Sequence, residues 1–425
     1  MARLNALADV VKGLKANIHV IDNLSPVSRV AVYVRAGSRY EPDAVPGIAH
    51  FIRASAGLTT QDSSIFGITR HTERAGASFK VSHDREFIVY RMECMRDKLG
   101  YVLGFVDDTL HKPEFRNWEI VDVVQPRVKY DLEVSRKNQA SVANEALHKA
   151  AFRGGLAHSM YAPEHQISAI KNEQLFDYLN NNFVLERMTF TGLSVDENEM
   201  RENIEERFNL NGSPYKGVAG TSRYVGGNEA RVQAGFAHTM VNFVVQGYPA
   251  NDLKSLAALE VISTMLGGHI HAYIKYGSGY DKSIYNRLHA ISPGFKVSII
   301  NLNYIDTGLF GFSMTGPNEH MHSATKGAIK HVRQMLGSIS EKDLLMAKKA
   351  AKVRALIQSE DHNATFEAMC RRHAHGLTGQ SPLDFVEKLT LKDVQAVAGS
   401  LLKSKPTMVA VGNPRFVPYI DEIDS

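Results

Sequence analysis

One stretch of the sequence comes close to a metal-dependent catalytic motif. Residues 47–58, GIAHFIRASAGL, place apolar side chains at helical spacing, and His50 falls within the same turns. In the helical pattern H-x-x-E-H, two histidines four residues apart bind zinc and the glutamate activates a water molecule. When this pattern is aligned on His50, the glutamate position holds Arg53 and the second histidine position holds Ala54. The sequence therefore predicts a helix with one metal ligand and without the catalytic base.

Four stretches resemble the pitrilysin and processing-peptidase family of metallopeptidases, and the resemblance covers nearly the whole chain. Within that family they are most similar to the core proteins of mitochondrial ubiquinol–cytochrome c reductase, which is respiratory complex III. The stretches are 31–60 (AVYVRAGSRYEPDAVPGIAHFIRASAGLTT), 68–94 (ITRHTERAGASFKVSHDREFIVYRMEC), 113–120 (PEFRNWEI) and 411–423 (VGNPRFVPYIDEI).

The resemblance also indicates where a third metal ligand would lie. In the peptidases this ligand is a glutamate on the long helix after a strand pair, and here that region is 128–133, VKYDLE. Either Asp131 or Glu133 could take the place, and the sequence does not choose between them. Since the base and one histidine are missing in either case, we expect no catalytic residue and no bound metal. His50, Arg53 and Ala54 are then relic positions of a lost site.

The resemblance implies a non-catalytic structural subunit, needed for assembly and stability of the respiratory complex. The expected partners are a core protein 1 relative, cytochrome b, cytochrome c1 and the iron–sulfur subunit, in a dimeric complex. The haem and iron–sulfur centres would belong to those partners, because this chain offers no ligand set for them. The expected location is the matrix side of the mitochondrial inner membrane, as a peripheral subunit.

The alternative is the non-catalytic partner subunit of a mitochondrial processing peptidase. In that subunit a flexible glycine-rich loop contacts the substrate, and the matching run here is 266–280, LGGHIHAYIKYGSGY. Bulky histidines and tyrosines interrupt its glycines, which favours a mobile connection or an interface loop. The run does not fit a nucleotide-binding fingerprint.

Other candidate sites are weaker. On a helix, residues two apart face different directions, so the H-x-H pair His373/His375 is not expected to share a metal. The pair His269/His271 is likewise expected to be a surface or interface pair. Cys94 lies in a strand pattern and, like Cys370, is expected to be a free buried thiol. There is no G-x-S-x-G nucleophile motif.

Composition excludes several classes of function. The chain has 425 residues with 44% hydrophobic and 22% charged, enough for two or three domains. A net charge of +4 with dispersed Lys and Arg does not predict nucleic-acid binding. No apolar run reaches the roughly 18 residues that predict a membrane-spanning helix. Residues 1–20 have a weak amphipathic pattern, which favours a surface helix over a cleaved targeting segment.

The element order indicates an internal duplication and an α+β fold. FKVS at 79–82 recurs at 295–298, and strands ending at Gly192 and Gly412 each follow a helix. We predict two duplicated domains, 1–208 and 230–425, each a mixed, mainly antiparallel sheet with helices mainly on one face. Residues 209–229, rich in glycine, would link them.

Periodicity predicts the individual elements. The predicted strands are 17–22, 28–36, 77–83, 86–94, 188–193, 233–236, 239–246, 297–304, 309–314 and one ending at 412. The predicted helices are 47–58, 65–75, 99–110, 114–133, 140–152, 172–183, 197–208, 253–265, 320–336, 341–358, 362–375 and 391–402.

Overall fold

The fold was analysed in a computed structural model, which describes residues 17–208, 215–267, 283–377 and 381–423. The strands are β1 (Asn17–Ile21), β2 (Val27–Val34), β3 (Ser78–His83), β4 (Ile88–Met95), β5 (Phe152–Gly154), β6 (Met188–Leu193), β7 (Ser222–Tyr224), β8 (Glu229–Gln233), β9 (Thr239–Gly247), β10 (Lys296–Asn303), β11 (Gly308–Gly316) and β12 (Thr407–Gly412). The helices are α1 (Ile48–Ser55), α2 (Ile65–Arg74), α3 (Leu99–His111), α4 (Asn117–Glu119), α5 (Gln125–Lys137), α6 (Gln139–Ala151), α7 (Asn172–Asn182), α8 (Glu197–Arg207), α9 (Leu253–Met265), α10 (Ile284–His289), α11 (Met321–Gly337), α12 (Glu341–Glu360), α13 (His362–Ala374), α14 (Pro382–Val386) and α15 (Leu391–Lys403).

The described residues form two compact units. The first contains those of 1–134, 158–221 and 366–376, and the second those of 135–157, 222–365 and 377–425. This division differs from the predicted boundaries because segment 135–157 packs in the second unit and segment 366–376 packs in the first. Each segment carries a helix whose apolar side chains cover a face of the sheet in the unit where it packs, which explains the division.

The first unit is built on a five-stranded sheet in the order β1-β6-β2-β4-β3. Only β1 and β6 pair in parallel, and the other neighbours are antiparallel. β3 and β4 form the predicted hairpin, whose turn is held by Asp84 Oδ1, which accepts the N–H groups of Glu86 at 2.8 Å and Phe87 at 2.7 Å. The strands are rich in valine and other β-branched or aromatic residues, which suits a sheet that is buried on both faces.

The second unit repeats this sheet. Its order is β8-β12-β9-β11-β10, again with one parallel pair, β8 with β12, and otherwise antiparallel neighbours. In both units the second strand lies at the centre and leads into the helix that follows it, α1 in the first unit and α9 in the second. The predicted duplication is therefore visible as one strand order used twice.

The helices lie mainly on one face of each sheet. In the first unit, α1, α3 and α7 form the large core together with the side chains of β2 and β4 that face these helices. In the second unit, α9, α11, α12 and α15 do the same with β9 and β11. The opposite face of each sheet is covered by one helix, α13 in the first unit and α6 in the second. These two helices start 223 residues apart, so they too belong to the repeat.

Some elements differ from the sequence prediction. The strand predicted at 233–236 is β8, which ends at Gln233. The predicted linker 209–229 contains β7, which pairs with β5 in a small two-stranded sheet. Most of the glycine-rich run 266–280 lies outside the described residues. No helix in the described part of the chain is long and apolar enough to cross a membrane.

The long helix predicted at 114–133 contains an irregularity. Between α4 and α5, residues Ile120–Val124 form a π-helical turn, and the helix then continues to Lys137. Pro126 follows this turn and cannot donate a backbone N–H group, so the regular hydrogen-bond ladder is interrupted here. The extra residue in the turn changes the direction in which later side chains point, including Asp131.

Candidate functional site

Helix α1 begins at a position that requires glycine. Gly47 has φ +90°, and a Cβ atom added there would lie 2.3 Å from Cα of Ala162. The carboxyl oxygens of Glu41 accept the N–H of Gly47 at 2.7 Å and that of Ala49 at 2.9 Å. These bonds satisfy two of the backbone donors that are left free at a helix start. The first turn of α1, and with it His50, is therefore fixed in place.

Glu41 itself is buried, with 1% of its surface exposed. Burial raises the pKa of this carboxyl to about 8, although the two backbone N–H groups act in the opposite direction. Sequence analysis did not single out Glu41. An acidic residue a few positions before a helix that starts with glycine is the only signal in the sequence that could have indicated it.

The ring of His50 is fully buried and bonded through both nitrogens. Ala162 donates its backbone N–H to Nδ1 at 3.2 Å, so Nε2 carries the proton and donates to Oδ2 of Asp131 at 3.3 Å. Burial lowers the pKa of His50, and the hydrogen bond to Asp131 opposes that shift. His50 is therefore a neutral ring whose metal-binding nitrogen is already used as a donor.

Two further rings enclose His50. His83 is stacked on it with centroids 5.2 Å apart, and Tyr161 meets it edge-on at 5.6 Å. His83 donates from Nε2 to the carbonyl of Met160 at 2.7 Å. Burial, together with the neighbouring His50, lowers the pKa of His83 to about 3. Sequence analysis missed His83, because it comes from an edge strand distant from the motif.

The three positions of the predicted motif, His50, Arg53 and Ala54, do not fit a zinc ion. The guanidinium of Arg53 pairs with the same Asp131 oxygen that accepts from His50, and Ala54 offers no ligand atom. The hydrogen bond from His50 and the charge of Arg53 hold the pKa of Asp131 below its usual range. Of the two carboxylates considered from the sequence, Asp131 faces His50, whereas Glu133 lies on the exposed side of α5. A fixed cation thus neutralises the carboxylate that a metal would otherwise use.

The second unit contains a similar ion pair with its charges exchanged. Arg354 of α12 donates from Nη1 to Oε1 of Glu260, on α9, at 2.7 Å. The first pair joins α1 to the long helix α5, and the second joins α9 to the long helix α12. Each pair thus connects the helix after the central strand to a long helix. Arg53 and Asp131 are 24% and 27% exposed, and Arg354 and Glu260 are 21% and 24% exposed. The similar burial indicates that both pairs fasten two helices together.

The other candidate sites show no catalytic arrangement. Burial raises the pKa of Cys94 to about 11 and that of Cys370 to about 12, so both thiols stay protonated and unreactive. His373 stacks on His19 at 4.1 Å, and His375 is buried edge-on against Phe87. The pair His269/His271 lies outside the described residues. Within the residues that are described, no three His, Cys, Asp or Glu side chains are grouped so that they could hold a metal.

A cleft opens beside the relic positions. It is lined by Arg53, Arg127, Phe79, Val81 and two alanines at the end of α1. Arg127 donates from Nη1 to the carbonyl of Ala54 at 3.2 Å. Two guanidinium groups therefore line this cleft, and that of Arg53 is paired with Asp131.

Known proteins of one family are similar in sequence to most of this chain. Residues 18–164 match the model of the insulinase family, peptidase family M16, and residues 169–351 match that of the peptidase M16 inactive domain. Subunit 2 of the mitochondrial cytochrome b-c1 complex from Homo sapiens is 30% identical over 95% of this chain and 89% of its own length. The same subunit from Mus musculus is 28% identical over the same shares. A probable mitochondrial-processing peptidase subunit alpha-1 from Arabidopsis thaliana is 26% identical over 99% of this chain and 86% of its own length. The resemblance predicted from the sequence is confirmed: the chain belongs to peptidase family M16, the insulinase family.

Proposed function

We propose that this chain is the non-catalytic core protein 2, or subunit 2, of the mitochondrial ubiquinol–cytochrome c reductase complex. Its likeness to subunit 2 of the cytochrome b-c1 complex extends over 95% of the chain. The observation that carries the non-catalytic assignment is the contact of Asp131 with both His50 and Arg53. A site with a guanidinium in place of the base cannot activate water.

The chain would serve assembly and stability of the complex through its surfaces. It would have no cofactor of its own, and electron transfer would use haem and iron–sulfur centres of partner subunits. The proposed partners are a core protein 1 relative, cytochrome b, cytochrome c1 and the iron–sulfur subunit, in a dimeric complex. The proposed location is the matrix side of the mitochondrial inner membrane, with peripheral attachment through these partners.

The alternative is the non-catalytic partner subunit of a mitochondrial processing peptidase. The 26% identity to a probable alpha-1 subunit of such a peptidase over 99% of this chain favours it. The guanidinium of Arg127, which lines the cleft beside the Arg53–Asp131 pair, argues against it. Mitochondrial targeting peptides are rich in arginine, and the like charge of Arg127 in this cleft would repel them.

Gentle detergent extraction of the native membranes, followed by native electrophoresis, separates the two functions. We expect the chain to migrate in a large assembly whose visible spectrum shows b- and c-type haem. Recovery of the chain in a two-subunit soluble enzyme that cleaves precursor peptides would contradict the proposal and support the alternative.

A further inference from the structure

The long helix α12 exposes apolar side chains on the side away from the core. Its inner face is formed by Leu344, Ala347 and Ala351, which are buried in the second unit. Its outer face bears an apolar row whose members are far more exposed than core residues. They are Leu345 at 56%, Val353 at 55%, Leu356 at 60% and Ile357 at 46%. We call these four residues with Lys349 the α12 strip.

Two exposed lysines of this face, against one exposed glutamate, Glu360 at the end of the helix, give it a positive charge. Lys349 is exposed and lies one turn from Leu345 and one turn from Val353 on the same side of the helix. Lys342, also exposed, lies two turns before Lys349. Lys352, at the side of the strip, pairs with Glu387 at 2.6 Å. The strip therefore has an apolar centre with ammonium groups within it and beside it.

Helix α5, the long helix in the first half of the chain, exposes apolar side chains at positions that match those of α12. Tyr130 and Val134 of α5 are 70% and 48% exposed, and they lie 223 residues before Val353 and Ile357. The same offset separates α6 from α13. An apolar outer face on the long helix is thus a property of both repeats, and in the second repeat it extends over four residues.

We propose that the α12 strip is a contact surface for an acidic partner protein, with one carboxylate that pairs with Lys349 within the apolar row and another that pairs with Lys342 at its end. Interfaces commonly combine an apolar core with a charged rim. A second copy of this chain would bring the same lysines face to face, and like charges oppose that contact. Inserting the strip into a bilayer would carry Lys349 below the headgroups, because apolar residues flank it on both sides. An opposing carboxylate, in contrast, pairs with Lys349 at the protein surface.

This inference rests on the proposed function only in that it needs an assembly, and lysine labelling in the native assembly tests it. The assembly extracted from membranes and the isolated full chain are each treated with an amine-acetylating reagent, and each lysine is quantified by mass spectrometry. We expect loss of labelling at Lys349 and Lys342 in the assembly, and equal labelling at Lys330, an exposed lysine of α11. Equal labelling of Lys349 in the two samples would overturn the proposal.

Zero-length carbodiimide coupling in the same assembly identifies the contact. We expect Lys349 to be joined to an aspartate or glutamate of a different polypeptide. A link to another copy of this chain would overturn the proposal in favour of self-association. Flotation of the isolated chain with phosphatidylcholine–phosphatidylglycerol vesicles, abolished by Lys349→Glu, would overturn it in favour of a bilayer.

Variants give an independent readout. Lys349→Glu and Leu356→Asp should reduce the share of the chain found in the assembly, while the melting temperature of the isolated chain stays unchanged because both sites are exposed. Lys330→Glu is the matched control and should assemble normally. Normal assembly of both strip variants would contradict the proposal. The haem spectrum of the assembly tests the proposed function separately, so the two can fail independently.

Discussion

Arg53 and Asp131 form an ion pair beside the buried ring of His50. The same carboxylate accepts a hydrogen bond from His50, so the one remaining ligand is tied to the pair. Glu260 and Arg354 make the corresponding connection in the second repeat with the signs reversed. In both repeats, an ion pair thus connects the helix after the central strand to the long helix.

The ion pair of the second repeat offers a clean test of that role. Glu260→Arg and Arg354→Glu should each lower the melting temperature, and the double variant should recover most of the loss. For a pair of this exposure we expect a coupling energy of about 0.5–1 kcal/mol in a double-mutant cycle. Thermal melting of the isolated chain measures it. Additive effects of the two changes would show that the pair does not fasten α9 to α12.

Restoring the lost residues should restore metal binding. In the double variant Arg53→Glu, Ala54→His, two histidines four residues apart would face Asp131, a ligand set suited to zinc. We expect about one zinc per chain after dialysis against zinc and then buffer, measured by elemental analysis. Ala54→His alone is the matched control, because Arg53 still holds Asp131, and it should stay free of zinc. Stoichiometric zinc in the unmodified chain would refute the relic assignment.

Removing the guanidinium of Arg53 should change the respiratory activity of the complex very little. Arg53→Ala deletes a partly exposed charge that touches no reacting group in the proposed function. Ubiquinol–cytochrome c reductase activity of the membranes, normalised to assembled haem, should remain close to that of the unmodified protein. A large loss of normalised activity would contradict the view that this position is a relic.

A side chain at Gly47 should clash with Ala162 and lower the stability of the protein. This steric effect can be measured separately from the strain of a positive φ angle. Gly47 and Gly57 both have positive φ, but only Gly47 faces a neighbour, Ala162, within contact distance. Gly57→Ala should cost about 1 kcal/mol from left-handed strain alone. Gly47→Ala should cost clearly more, since Ala162 must move, and should lower the melting temperature further. Equal effects of the two changes would show that the contact with Ala162 is unimportant.

The buried carboxyl group of Glu41 should make the free energy of unfolding depend on pH. Because burial raises its pKa from 4.5 to about 8, its contribution to stability is complete below pH 4.5 and is lost as the pH rises through about 8. Glu41→Gln cannot ionise, so it lacks this loss, although its amide fits the two N–H donors less well.

Melting temperatures between pH 5 and pH 9 test this. The stability advantage of the unmodified chain over Glu41→Gln should shrink as the pH rises. Glu73→Gln, on the exposed side of α2, controls for the removal of one negative charge. A constant difference between the unmodified chain and Glu41→Gln over this range would contradict the prediction.

Sequence analysis succeeded where a periodic pattern carries the signal. α1 and the β3–β4 hairpin were predicted close to their observed bounds, because burial on one side imposes regular spacing. β5 and β7 have three residues each, too few to show a period, and were missed. β8 was placed a few residues late, because its residues lie within a glycine-rich segment that reads as a linker.

The site was predictable only along one helix. His50, Arg53 and Ala54 share α1, so their spacing alone shows what each position would do. Asp131 and Glu133 are two residues apart and point in different directions, so choosing between them requires the rotation of α5, which the π-turn before Pro126 alters. Glu41 and Ala162 reach the site through the tertiary fold, and no local pattern reports that.

Helix α13 comes late in the sequence but packs in the first unit, and this affects how the protein folds during synthesis. The face of the first sheet formed by Ala31, Tyr33 and Val89 is covered by residues 366–374, which leave the ribosome near the end of synthesis. Until then the nascent chain exposes an apolar sheet surface, the kind of surface that promotes aggregation and engages chaperones. The first unit therefore cannot be completed by an N-terminal fragment, and a chain truncated before Phe366 would expose this surface permanently.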